Sequence, residues 1–118
     1  MKKKYNIIIV DDHPIVIEGL KNLLSGLDFV SVQATFTKGV SIFGYEDLKT
    51  IDIVFLDIFL KDSNGIDLCL KLKKSNPGII VLAMSSQSER SIVMQVMRSG
   101  ANGYLLKSAS LEEFKKCI

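Results

Sequence analysis

Residues 51–67 read IDIVFLDIFLKDSNGID, an apolar run from Ile53 to Leu56 that ends in a single carboxylate, Asp57. Four consecutive apolar residues are too few for a helix and suit a strand covered on both faces, which places this one near the middle of a sheet. Past Asp57 comes the turn Ser63-Asn64-Gly65, where Asn64 can cap a helix from Gly65 to Lys74 with Ile66, Leu68, Cys69 and Leu72 apolar. A strand, a loop and a helix in that order are half of a βαβ unit. A charge where a buried strand surfaces marks a working site.

The same arrangement recurs on either side. Asn6 to Val10 reads as a strand running into Asp11-Asp12-His13, and Pro14 opens a helix with Val16, Leu20, Leu23, Leu24 and Leu27 at helical spacing and Gly26 near its end. Phe29 to Thr35 is a less apolar strand, hence an edge. Thr37 is expected to cap a short helix carrying Val40, Ile42 and Phe43, interrupted at Gly44. After the Asn76-Pro77-Gly78 stop, Ile79 to Met84 forms a fourth strand that surfaces at Ser85-Ser86. Ser88 then caps a helix to Arg98 with Ile92, Val93, Val96 and Met97 inward, closed by Gly100. Tyr104 to Leu106 is a fifth strand ending at Lys107, and Ser110 with Glu113 forms a capping-box pair for a last helix cut short at Ile118.

Five strands alternating with helices predict an α/β fold, a five-stranded parallel sheet with helices on both faces in a three-layer sandwich. Ligands of such sheets bind outside the carboxyl ends of the strands. The residues expected there are Asp11, Asp12, Asp57, Ser85 and Lys107.

Composition narrows the function classes. A chain of 118 residues with 47% hydrophobic residues is expected to form one domain over residues 1–118 and is not disordered. A net charge of +2 implies no polyanion partner, and Lys2-Lys3-Lys4 reads as a solvated tail. No apolar run is long enough for a signal peptide or a membrane span, so a cytoplasmic protein is expected. Cys69 and Cys117 lack CxxC spacing, which argues against a disulfide framework or a zinc site. His13, the one histidine, reads as a loop residue and not a ligand.

Three carboxylates converging at one site repel each other unless a cation neutralises them. Oxygen ligands call for a hard ion, and Mg²⁺ with several waters and a phosphate is the usual partner of one or two carboxylates. Lys107 would then be a point charge for phosphoryl oxygens, and the Ser85 hydroxyl a donor to the same group. With charge drained from the phosphoryl group, Asp57 can attack it and form an aspartyl phosphate.

Through IIIVDDHP, IVFLDIFLKDSNGIDL, VLAMSS and GANGYLLK, the whole chain resembles the receiver domain of bacterial two-component response regulators. The resemblance implies a flavodoxin-like sheet of order 2-1-3-4-5. It implies Asp57 as the phosphoacceptor, with Asp12, Asp57 and the Phe59 carbonyl as direct Mg²⁺ ligands and Asp11 acting through a metal-bound water. Ser85 corresponds to the switch hydroxyl, Lys107 to the active-site lysine and Tyr104 to the switch aromatic. A sensor histidine kinase and a second copy of the chain are the implied partners. The domain would be a switch rather than an enzyme, promoting its own phosphoryl transfer and slow autodephosphorylation.

The DDHP start and GANGYLLK ending are similar to the subclass whose receivers precede a LuxR-type helix-turn-helix domain, so transcriptional control through a DNA-binding domain absent from this chain is expected. The alternative is a stand-alone or phosphorylation-independent receiver that acts as an interaction module. Two positions depart from the pattern. Ser108 stands where proline usually follows the lysine, so a trans bond is expected there, and Lys61 stands where proline usually lies four residues past the phosphoacceptor. Phe59 has no side-chain group to position an attacking water, which points to a long-lived phosphoryl state.

Rival chemistries fit less well. A flavin protein would need a phosphate cradle where Asp11-Asp12 stands. A dehalogenase-type hydrolase would need an acid where Phe59 stands. Asp62-Ser63-Asn64-Gly65 hints at a calcium loop, but Lys73 occupies the position of its bidentate glutamate.

Overall fold

Strand alternation sorts the apolar residues into two layers. The computed structural model describes residues 4–86 and 90–107. Strands β1 (Tyr5–Val10), β2 (Val30–Phe36), β3 (Ile53–Asp57), β4 (Ile80–Ser85) and β5 (Gly103–Leu106) pair in parallel in the order β2-β1-β3-β4-β5. This is the expected 2-1-3-4-5 sheet. Ile7, Ile9, Ile53, Phe55, Leu82, Met84 and Leu105 point to one face, where they meet Ile17, Leu20 and Leu24 of α1 (Pro14–Ser25). Ile8, Val10, Val54, Leu56, Val81 and Ala83 point to the other. There they meet Leu68, Cys69 and Leu72 of α2 (Gly65–Ser75) and Val96 of α3 (Arg90–Arg98). Burial on both faces is why β1, β3 and β4 read as unbroken apolar runs.

At the edge, β2 is only partly buried, and its pairing with β1 skips Gln33 between Ile7 and Ile8, an irregularity that an edge tolerates. Helix α2 starts as expected, with Asn64 Oδ1 accepting from the Ile66 and Asp67 N–H groups at 2.8 and 3.3 Å. Its Lys73 Nζ donates to the Ile79 carbonyl at 2.7 Å and to Asn102 Oδ1 at 2.9 Å, so this position ties a helix end to the sheet. Gly100 follows α3 at φ +102°, the left-handed conformation that favours glycine.

Two sequence expectations are corrected. The short helix expected at Val40, Ile42 and Phe43 is present and ends at Gly44, but it is a 3₁₀ helix, Gly39–Gly44, preceded by Lys38 and not capped by Thr37, and a second 3₁₀ turn, Leu48–Thr50, follows. The cap comes from elsewhere in the chain: the Gly39 N–H donates to Asp62 Oδ1 at 3.0 Å. A Cβ at Gly39 would lie 2.3 Å from Leu68 Cδ1 of α2 and 2.4 Å from Ser63 Oγ, so a larger residue there would require these side chains to turn away. Met97 is 43% exposed, not inward. The nine-residue α3 meets the sheet through a narrow stripe centred on Val96, and the next residue is rotated out of it.

Cys69 is buried and free, its thiol 3.7 Å from the Ser99 carbonyl. Among the described residues no helix is long and apolar enough to cross a membrane. Lys2, Lys3, the Ser88 cap, Ser108, the last helix from Ser110 and Cys117 lie outside the described residues.

Candidate functional site

Sheet register brings the charges together. Val10 is paired with Leu56, so Asp11 and the last residue of β3, Asp57, leave the sheet side by side. Ser85 is paired with Leu106 one strand further on, and the Lys107 N–H donates to the Ser85 carbonyl at 2.8 Å. From that anchor Lys107 Nζ reaches Asp11 Oδ2 and Asp57 Oδ2, both at 3.0 Å.

Each of the three carboxylates has one oxygen held by a backbone N–H and the other turned toward the pocket. Asp11 Oδ1 accepts from the His13 N–H and Asp57 Oδ1 from the Phe59 N–H, both at 2.9 Å, local turns that short acidic side chains make with the residue two positions on. Asp12 Oδ2 accepts from the Lys61 N–H, also at 2.9 Å, across from β1 to the loop after β3. Asp12 Oδ1 is buried without a hydrogen bond. Asp11 and Asp57 are almost wholly buried as well.

Burial raises the Asp57 pKa above the ordinary carboxylate value, and the nearby Asp11 charge adds to this; the Phe59 N–H and Lys107 oppose the rise without cancelling it. Burial also works against the charge on Lys107, but its hydrogen bonds to Asp11 and Asp57 win, so its pKa rises and it stays a cation at neutral pH. A raised carboxylate pKa means that folding bears a cost while Asp57 is ionised, and that the cost fades as pH falls through the folded-state value. Asp57→Asn is therefore expected to be more stable than the unaltered chain at pH 7, with the gain shrinking toward pH 4 in urea titrations. A variant less stable at both pH values contradicts this.

The geometry suits a hard cation. Asp11, Asp12, His13 and Asp57 each offer one ligand atom within 4.8 Å of the others, and the buried Asp12 Oδ1 has no well-formed hydrogen bond, its polar neighbour being the His13 ring. His13 lies in the loop, as expected, and its ring also borders the cluster. Its Nδ1 lies 2.9 Å from Asp11 Oδ1 and 3.1 Å from Asp12 Oδ1, inside the cluster and not apart from it. Only its place beside Asp12 hinted at this, since a side-chain rotamer leaves no periodic trace in sequence.

The remaining expected residues hold varied positions. Ser85 is buried at the end of β4, and Tyr104 is half-buried against the core layer that contains Val10 and Ala83. Phe59 is 48% exposed, its N–H turned to Asp57 and its backbone bridged to Asn64. Sequence reasoning missed two contributions, the Lys61 N–H and the Asp62 carboxylate. The first is a backbone group, which sequence does not mark, and the second reads in sequence only as the start of a calcium-like loop.

Known proteins resemble this chain in sequence and fold. The response regulator receiver domain family matches residues 7–118. Transcriptional regulatory protein LnrK of Bacillus subtilis is 34% identical over 112 residues, covering 95% of this chain and 51% of the relative. Transcriptional regulatory protein MalR of the same species is 31% identical over 116 residues, covering 96% of this chain and 48% of the relative. The chain thus spans about half the length of the curated relatives it matches. The receiver domain of the response regulator NarL from Mycobacterium tuberculosis superposes with a TM-score of 0.88 at 27% identity, covering 97% of this chain and 92% of that one.

Proposed function

Because the chain belongs to the response regulator receiver domain family, we propose that it is a cytoplasmic switch whose Asp57 accepts a phosphoryl group from a sensor histidine kinase and thereby controls a transcriptional output domain. The observation that carries this reading is the pose of Asp57: Oδ1 is held by the Phe59 N–H while Oδ2 faces Lys107 Nζ at 3.0 Å.

In the proposed step Asp57 Oδ2 attacks the phosphorus of the donor, a P–O bond forms, and the bond to the donor breaks with its electron pair leaving on the donor. Lys107 would move from pairing with two carboxylates to pairing with phosphoryl oxygens, and the Ser85 hydroxyl would donate to the same group. Asp12, Asp57 and the Phe59 carbonyl would hold Mg²⁺, with Asp11 acting through a water; bound there, the ion would screen the carboxylates and draw charge from the phosphoryl group. Movement of Ser85 would leave room for the half-buried Tyr104 to turn inward, the two-state element of the switch. A second copy of the chain is the further partner, and DNA would be reached only through a domain outside these residues.

Incubation with Mg²⁺ and a small phosphodonor, followed by intact mass, tests the proposal. One added phosphoryl group is expected on the unaltered chain and none on Asp57→Ala. A gain that survives Asp57→Ala rules out the assignment. The same spectra followed over time read the lifetime, which Phe59 is expected to lengthen; if Phe59→Asn does not shorten it, that part of the reading falls.

A further inference from the structure

The pocket's three carboxylates are not held alike. Asp11 and Asp57 bend back to N–H groups two residues on, bonds that the local chain supplies by itself. Asp12 depends on a donor 49 residues away, the Lys61 N–H at 2.9 Å. Its other oxygen, Oδ1, is buried, has the half-exposed His13 ring at 3.1 Å but no well-formed hydrogen bond, and belongs to a cluster whose ligand atoms lie within 4.8 Å of one another.

We infer that the backbone amide of Lys61 is a positioning residue for the cation site: by holding Asp12 Oδ2 it keeps Oδ1 turned into the pocket. The inference rests on the metal-assisted reading above and deepens it. A carboxylate on a single-bonded side chain can turn either oxygen, or both, toward an ion, and a fixed N–H on one of them removes that freedom. The agent is the amide and not the lysine side chain, so proline at this position, which has no N–H, could not do the same.

The loop that carries the donor is braced on both sides. The Gly65 N–H donates to the Ile58 carbonyl at 3.1 Å, Phe59 bridges to Asn64, and Asp62 holds the Gly39 N–H at 3.0 Å. A donor on so constrained a loop stays where it is when Asp12 alone would rotate. Outer-shell partners of this kind typically change metal affinity by roughly 10–100-fold when removed.

Mn²⁺ titration by water-proton relaxation, a readout that needs no phosphoryl transfer, separates the outcomes. Lys61→Pro is expected to weaken Mn²⁺ binding by roughly tenfold. Lys61→Ala keeps the N–H, loses a rim cation and is expected to bind at least as tightly as the unaltered chain. Equal weakening in both variants, or none in Lys61→Pro, overturns the inference while leaving the metal site intact. Failure of the unaltered chain to bind Mn²⁺ overturns the metal reading itself. A reciprocal measurement does not depend on the proline variant folding: in Asp12→Ala the Lys61 amide resonance should shift and lose its protection from exchange, while the Gly39 amide keeps its own. An unchanged Lys61 amide in that variant refutes the clamp.

Discussion

Lys107→Ala is expected to lose nearly all phosphoryl uptake and, in the presence of a chelator, about 3 kcal/mol of folding stability. The ammonium lies 3.0 Å from one oxygen of Asp11 and 3.0 Å from one of Asp57, and both carboxylates are almost wholly buried. Removing the cation leaves two like charges desolvated and facing each other, the case in which breaking a buried pair costs about 3–5 kcal/mol. The low end applies because the Lys107 side chain is 15% exposed and so keeps some contact with water. Mg²⁺ should restore part of the stability but not the uptake, since a phosphoryl group would still lack its lysine.

The pH window follows from the two shifts. Lys107 has a raised pKa, so its contribution is complete below the ordinary lysine value and is lost as pH rises through the folded-state value. At the acid end the deficit should shrink as Asp57, whose pKa is also raised, takes up a proton. Urea midpoints of the two proteins across this range measure it. A deficit that is flat from acid to strongly alkaline pH would show that packing, not charge, is what Lys107 supplies.

Gly65→Ala is the second large effect, with an expected loss of about 3 kcal/mol. A Cβ at this position would fall 2.2 Å from Ile58 Cα and 2.8 Å from the carbonyl carbon and oxygen of the same residue. All three contacts are backbone, so no side chain can rotate away and the strand or the helix must move. The displaced part is the loop from Phe59 to Asn64, and with it the N–H groups of Phe59 and Lys61 that hold Asp57 and Asp12. Phosphoryl uptake should therefore fall with stability. Gly44→Ala serves as the contrast: a Cβ there meets nothing within 4 Å and the backbone φ is not positive, so the change should be neutral or stabilise by up to about 1 kcal/mol. Equal denaturation midpoints for Gly65→Ala and the unaltered chain would falsify the steric argument.

Much of the fold is legible in the residue pattern because burial is periodic. Ile53 to Leu56 can be covered on both faces only in the sheet interior, and β3 is the third of five strands in the order observed. The caps and stops at Asn64, Asn76-Pro77-Gly78 and Gly100 are local chemistry, and each lies at or beside an observed element boundary. In residues 37–50 the place of the short helix was legible, but its 3₁₀ form and its cap were not, because they answer to a distant partner. Gly39 is held by Asp62 and crowded by Leu68, and neither constraint is visible within the segment. Met97 was misread because helical spacing marks a face but not how wide a stripe the sheet will cover.

The sequence by itself determined five strands with the central ones buried, α-helices after the first, third and fourth of them, and strand ends that carry Asp11, Asp57, Ser85 and Lys107. Periodicity and turn chemistry act over a few residues, and those are the signals a chain records in its own order. The tertiary structure alone decided which oxygen of each carboxylate faces Lys107, that His13 turns into the cluster, and that Asp12 is held by the Lys61 amide. These depend on contacts such as Lys107 to Asp57, 50 residues apart, and Lys61 to Asp12, 49 apart. Their geometry is set by sheet register and rotamer, to which hydrophobic pattern is blind.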